Sequence, residues 1–186
     1  MKKQNTLKLT ITGLLIAIGI IIPMYSPARV VLPPASFTLA SHAAIFIAMF
    51  ISPKVAVAVA AGTTLGFLFG GFPIIIVFRA ATHIIFAFVG AMYLRKLSSD
   101  LSTVKLRVFS FVIGIIHAVG EVVVVSIFFF GGSINAMFIE QGFVTSVLLL
   151  IGLGSVIHSM VDFEIARLVL YPLKKQRNIS MYFMNV

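Results

Sequence analysis

The stretch PIIIVFRAATHIIFAF, residues 73–88, sets Arg79 and His83 inside an apolar run long enough to help cross a bilayer. The rest of the chain has the same character. Its 186 residues are 60% hydrophobic and only 10% charged, with a mean hydropathy of +1.15, well outside the range of soluble domains. Hydropathy supports six segments, at residues 7–24, 39–52, 55–71, 74–94, 106–130 and 143–171. Each is compatible with a tilted or partly buried crossing of a roughly 30 Å hydrocarbon core. The second and third are short and are separated by Ser52-Pro53-Lys54. The expected fold class is therefore all-α: a six-transmembrane-helix bundle, one integral membrane domain over residues 1–186.

Several chemistries are excluded at once. Cysteine is absent, so there are no disulfides and no thiolate metal sites. No Gly-rich lysine loop of the Walker type occurs, so the chain does not bind and hydrolyse ATP through that device. The first apolar run leads into Pro-rich sequence rather than a small-residue cleavage site, and is expected to be a retained helix. No internal repeat supports the inverted-repeat layout of many secondary transporters.

The net charge of +9 is not a nucleic-acid signature, because of where it sits. Lys2, Lys3, Lys8, Lys54, Arg95, Lys96, Lys105, Arg107, Lys174, Lys175 and Arg177 fall at the termini and in alternate loops; Arg29 falls in an opposite loop. That asymmetry places both termini and the 95–107 loop in the cytoplasm. Attraction to anionic headgroups accounts for the basic clusters, and no nucleic-acid partner is needed. Arg167, near the cytoplasmic end of the sixth segment, can snorkel to the headgroups. Arg79 has no such easy route.

The first outer connection, YSPARVVLPPASFT, carries Pro27, Pro33 and Pro34, which forbid helix and favour a stiff, extended segment. It is expected as either a lid over a pocket or an ordinary surface loop. In the third segment Ala58, Gly62, Gly66 and Gly70 recur every four residues, lining one face with small side chains so that another helix can approach closely. Gly13 and Ala17 form a shorter version in the first segment, facing a neighbour inside the chain or a helix of another protein.

Arg79, Thr82, His83 and Phe86 share one polar and aromatic helix face. Counted from Ile74, Arg79 lies about 8 Å below the outer end at 1.5 Å per residue. A guanidinium at that depth needs a counter-charge or a wet cavity. Glu121 on the fifth segment can supply the first as a permanent ion pair; an anionic ligand is the alternative, since the planar fork matches a carboxylate with two parallel hydrogen bonds. Both hold if Glu121 occupies Arg79 between loadings. His83, His117 and His158 count to mid-bilayer, with Glu121 and Asp162 four residues beyond the latter two. Imidazole and carboxylate suit zinc, nickel or cobalt. In the absence of a zincin motif, however, interhelical hydrogen bonds are the favoured role. His42 reads as an interfacial residue or part of a pocket rim with Ser36, Thr38 and Ser41.

PPASFTLASH, IFIAMFISP, GTTLGF and GFPIIIVFRAATHIIFA, within six segments and about 180 residues, resemble the substrate-binding S components of energy-coupling factor (ECF) vitamin transporters, most of all the niacin-specific (NiaX-type) members. The resemblance covers residues 7–175. It implies a vitamin-binding subunit of an ATP-binding-cassette importer that captures its cargo at the outer face. A transmembrane T component and two ATPase subunits would then drive uptake, with no enzymatic step and no cofactor in this chain. It also implies that Gly13 and Ala17 match the small-residue face that meets the T component, with glycine in place of the first alanine. For the ligand it points to Arg29 or Phe37, Arg79 and His83, Glu121 and Ser146. Nicotinate suits these groups: its carboxylate fits Arg79, its ring can stack on Phe37 or Phe86, and its ring nitrogen can accept from a histidine or hydroxyl. Two other readings stay open. One is an S component for another small vitamin or precursor, such as biotin, pantothenate or a queuosine precursor. The other is an intramembrane metal-dependent enzyme built on the mid-bilayer histidines.

Overall fold

A computed structural model describes residues 2–32, 35–97, 102–176 and 183. The chain runs α1 (Lys2–Tyr25), β1 (Arg29–Leu32), β2 (Ala35–Thr38), α2 (Ala43–Met49), α3 (Pro53–Phe69), α4 (Ile74–Lys96), α5 (Thr103–Phe130) and a short α6 (Ala136–Glu140). A π-helical segment, Val144–Leu153, then continues directly into α7 (Gly154–Lys175). Four of these stretches are long and apolar enough to cross a membrane: Thr6–Tyr25, Ile74–Lys96, Thr103–Phe130 and Val144–Leu173. The architecture is helical, as expected, with one addition. The Pro-rich connection is not simply an extended loop but a β-hairpin, β1 pairing antiparallel with β2 in the register Arg29↔Thr38 to Leu32↔Ala35.

The boundary between the second and third segments follows from local chemistry. Ser52 is extended and its hydroxyl accepts from Val55 N, while Pro53 occupies the first turn of α3, where its missing N–H costs nothing. Helix α3 therefore starts at Pro53 rather than at residue 55. The second segment, expected over 39–52, contains only the 7-residue α2. At 1.5 Å per residue it rises about 10 Å. Residues 39–42 turn instead, with Ala40 at φ +66°, and residues 50–51 turn at the other end.

Helices α1, α3, α4, α5 and α7 form a wall in which α1 packs on α3, α3 on α4, α4 on α5 and α5 on α7. The short α2 fills the middle, touching α1, α3, α4 and α7. Each of its residues is buried, Phe46, Ala48 and Met49 completely. Where lipid surrounds a bundle, apolar side chains gain little by leaving it, so close fit decides which residues turn inward. The small-residue stripe of α3 serves that fit. A Cβ on Gly62 would lie 2.6 Å from Ile16 Cδ1, and one on Gly66 would lie 2.2 Å from Ile20 Cδ1, so α1 seats its isoleucines there. Gly13, by contrast, has nothing near it, and Ala17 is exposed. That face of α1 points away from the bundle.

Candidate functional site

Between the end of α1, the hairpin and helices α2 to α5 and α7 lies a half-open cavity of about 160 Å³. It is smaller than the ~300–1,000 Å³ typical of sites for drug-sized ligands, and so suits a single-ring solute. Its apolar wall includes Phe37, Ile45, Phe67, Phe72 and Ile76, and its polar wall includes Ser41, His42, Thr63, Arg79, His83 and Glu121.

Arg79 reaches the cavity from α4 and is met by Glu121 of α5. Its Nε donates to Glu121 Oε1 at 3.2 Å and its Nη2 to Oε2 at 2.9 Å, the two-pronged geometry that suits a guanidinium and a carboxylate. Ser155 of α7 donates its hydroxyl to the same Oε2 at 2.6 Å. Close approach of the helices makes this possible: a Cβ on Gly120 would stand 2.9 Å from Thr82 Cβ, so only glycine lets α4 and α5 lie this near. Glu121 is almost fully enclosed, whereas the Arg79 side chain keeps 19% of its surface exposed. A guanidinium carries five N–H donors, and Glu121 engages two. The pair and the cavity therefore coexist.

A second carboxylate organises the entrance. Asp162 of α7, completely buried, accepts from Ala40 N at 2.7 Å, His42 N at 2.8 Å, His42 Nδ1 at 3.0 Å and Ser41 Oγ at 3.3 Å. These bonds hold the turn before α2, left-handed Ala40 included, against a helix more than a hundred residues later. A carboxylate only accepts, so His42 carries its proton on Nδ1, which leaves Nε2 as its acceptor nitrogen. His42 is consequently no interfacial residue: it is buried, drawn inward by Asp162.

Around His42 the other histidines pack ring to ring. Ring centroids are 4.7 Å from His83, 4.6 Å from His117 and 5.1 Å from His158. Of the expected interhelical hydrogen bonds, His158 makes one, its Nε2 lying 3.0 Å from Ser41 Oγ, whereas none is found for the Nε2 atoms of His83 and His117 among the described residues. His83 Nε2 and both ring nitrogens of His117 are buried without a hydrogen-bond partner among the described residues, the Nε2 atoms standing 3.6 and 3.5 Å from Glu121 Oε1. Two groups have metal-ligand proximity: His42, His83 and His117, and His42, His158 and Asp162, each with its potential ligand atoms within 4.8 Å of one another.

The other expected site residues distribute as follows. Phe37 lines the cavity from β2, its ring lying over the bare face of Gly154 and 5.4 Å from the His158 ring. Phe86 lies behind the histidines, fully buried. Arg29 pairs through its backbone with Thr38 in the hairpin; its side chain is outside the described residues. Ser146 does not line the cavity. Its buried hydroxyl lies 2.7 Å from Phe138 O and 2.9 Å from Gly142 O, where it can donate to close the turn after α6. Arg167 pairs with Glu164 three residues earlier instead of only snorkelling. Sequence reasoning passed over Thr63 and Ser155. Thr63 lines the cavity, and its buried Oγ1, which lies over the bare face of Gly19 in α1, has no hydrogen-bond partner among the described residues. Ser155, Ser159 and Asp162 recur at helical spacing on the inward face of α7, a signal that periodicity alone could have flagged.

No protein-family model matches the chain, and no solved structure matches it. Among curated proteins it is similar to the niacin transporter NiaX of Lactococcus lactis subsp. cremoris (strain MG1363), with 43% identity over 166 residues, spanning 89% of this chain and 73% of that protein. Similarity at that level over most of both chains means a shared fold and setting. This multi-pass cell-membrane protein belongs to the NiaX family of transporter S components.

Proposed function

We propose that the chain captures nicotinate at the outer face of the membrane and presents it, as the S component of an ECF-type importer, to a T component and two ATPases. The observation that carries this reading is Arg79, a guanidinium on the wall of a one-ring cavity with donors left over after Glu121 is bonded. The substrate carboxylate takes those donors, with Glu121 holding the fork at the right angle. The ring lies among Phe37, Phe67 and Phe72, and Thr63 donates its unpaired hydroxyl to the ring nitrogen. His83 closes the inner wall. Arg29 and Ser146 contribute through the hairpin and the α6 turn that shape the surroundings. The niacin-transporter relative supports the choice of solute.

Six legs with both termini cytoplasmic fit the charge asymmetry, with α2 and its flanking turns as the short second leg. The absence of cysteine makes this easy to test: in single-cysteine variants of the native chain, Ser133→Cys should react with impermeant maleimide in intact cells, and Lys175→Cys only after permeabilisation. Gly13 and Ala17, on the unpacked face of α1, are the proposed seat of the T component. The chain itself performs no catalysis. Titration calorimetry on purified protein tests the substrate. Nicotinate should bind without ATP or partners, and binding of biotin or pantothenate in its place would overturn the assignment.

A further inference from the structure

The polar wall behind the cavity holds more donor capacity than nicotinate can use. His42 comes from the start of α2, His83 from α4 and His117 from α5, and their potential ligand nitrogens lie within 4.8 Å of one another. The rings do not stack flat. They cross at 63° to 85°, so their edges converge from different directions. His83 and His117 are buried, and neither has a hydrogen-bond partner for Nε2 among the described residues; His117 Nδ1 is likewise unpaired. Leaving a buried polar atom unmatched is costly, so one nitrogen of each of these two adjacent rings is available to a shared partner. His42 is prepared for the same partner. Asp162 holds its Nδ1–H at 3.0 Å, the arrangement by which a carboxylate orients a metal-ligating imidazole and raises its basicity.

Charge points the same way. Among the described residues lining or bracing the cavity, the Arg79 guanidinium is paired with Glu121, while Asp162 is paired with His42. Asp162 thus brings a carboxylate to the histidine cluster with no Lys or Arg among its described partners, and a bound solute carboxylate adds another. In a low-dielectric setting such an imbalance is severe. A divalent cation neutralises it, and imidazole donors select a transition metal over magnesium or calcium.

We infer that His42, His83 and His117 form a binding site for one divalent transition-metal ion of the zinc, nickel or cobalt type, behind the solute cavity, and that its occupancy strengthens nicotinate binding. The second half of this inference rests on the nicotinate reading; the first does not. Zinc–imidazole bonds of about 2.0–2.1 Å in a tetrahedral set put the ligand nitrogens roughly 3.3 Å apart, so the rings close by no more than about 1.5 Å, a side-chain adjustment. Glu121, with Oε1 3.5–3.6 Å from the Nε2 atoms of His117 and His83, is placed to accept from a ring N–H left over by ligation. Because metal and anion offset each other's charge, each raises the affinity of the other by the same factor.

The test uses tag-free full-length protein in detergent, stripped with a chelator and verified metal-free by elemental analysis. Titration with ZnCl2 alone should load one ion per chain, and X-ray absorption on that sample should show imidazole scattering with a nitrogen shell at about 2.0–2.1 Å. His83→Asn and His117→Asn should each weaken zinc binding at least tenfold. Nicotinate should bind the loaded protein at least tenfold tighter than the metal-free one. Absence of stoichiometric zinc, or an absorption spectrum without imidazole, overturns the site even if the variants misfold, because both readings come from the unaltered chain. Equal nicotinate affinity with and without zinc overturns the coupling and leaves the nicotinate assignment standing. Zinc uptake without any nicotinate binding supports the metal site and removes the nicotinate assignment.

Discussion

Replacing the two members of the Arg79–Glu121 pair, singly and together, separates binding from folding. Arg79→Met alone leaves Glu121, 5% exposed, with the Ser155 hydroxyl as its one remaining hydrogen-bond donor among the described residues and the His83 and His117 rings at 3.5–3.6 Å. Breaking a buried pair from one side costs about 3–5 kcal/mol, so this variant should unfold at a much lower temperature and its loss of nicotinate binding would be ambiguous. Arg79→Met with Glu121→Gln removes both charges while keeping volume and one acceptor for Ser155. Swapping a buried pair for neutral groups is often close to neutral in stability, so the double variant should fold about as well as the native chain. Binding should not recover with it. The lost charge-assisted contact to the carboxylate corresponds to about 1.5–3 kcal/mol, or about a 10- to 150-fold rise in Kd. Thermal melts by tryptophan-independent light scattering give the stability arm, since the chain contains no Trp, and calorimetry gives the affinity arm. A stable double variant that binds nicotinate as the native protein does would falsify the role given to Arg79.

Further outcomes follow from single contacts. Thr63→Val exchanges a partnerless buried hydroxyl for a methyl, so the empty protein should melt no lower, while nicotinate affinity falls about 2- to 10-fold for one lost neutral hydrogen bond; an unchanged Kd would exclude Thr63 from the ring-nitrogen contact. Gly154→Leu drives a side chain into Phe37, whose Cζ would stand 2.7 Å from the new Cβ, so the hairpin lifts and radiolabelled nicotinate should leave at least tenfold faster; an unaltered off-rate refutes the hairpin as a lid. Asp162→Ala strands the buried His42 N–H and the Ala40 N–H, at about 1–3 kcal/mol each, and should lower the melting temperature even though no solute contact is removed. A melting temperature equal to the native one would mean the turn before α2 is held by something else.

Arg79 and Glu121 were legible in the sequence because cost and position are both written there. A charge eight ångströms or so down an apolar helix demands a partner, and an acid on the next segment, counted to about 14 Å from the outer end, lies within reach of a long side chain. The small-residue stripe of α3 was legible for the same reason: its four-residue period is a local property, and the isoleucines of α1 fill it. His42 was legible only as one of two alternatives, of which the pocket rim is the one the cavity lining bears out. Its burial depends on Asp162, 120 residues away, and on a left-handed alanine that no composition rule anticipates. Segment two looked twice as long as its helix because hydropathy records apolarity, and turns enclosed by protein are as apolar as helices. Ser146 had the right residue type at the right end of its helix. Only the fold shows its hydroxyl turned toward the α6 carbonyls. The hairpin was not anticipated because its strand pairing, Arg29↔Thr38 to Leu32↔Ala35, is written in no local periodicity of the sequence.

The division of one ion pair between consecutive helices also bears on how the chain is made. An arginine or acid at the centre of a lone helix raises the cost of leaving the translocon by about 2.5–3.5 kcal/mol. Glu121 emerges from the ribosome well after Arg79, so until α5 arrives the guanidinium of α4 lacks its carboxylate. The two then partition into lipid as a neutralised hairpin, which makes their encounter an obligatory step of biogenesis. A chain stalled before residue 121 should remain crosslinkable to the insertion machinery.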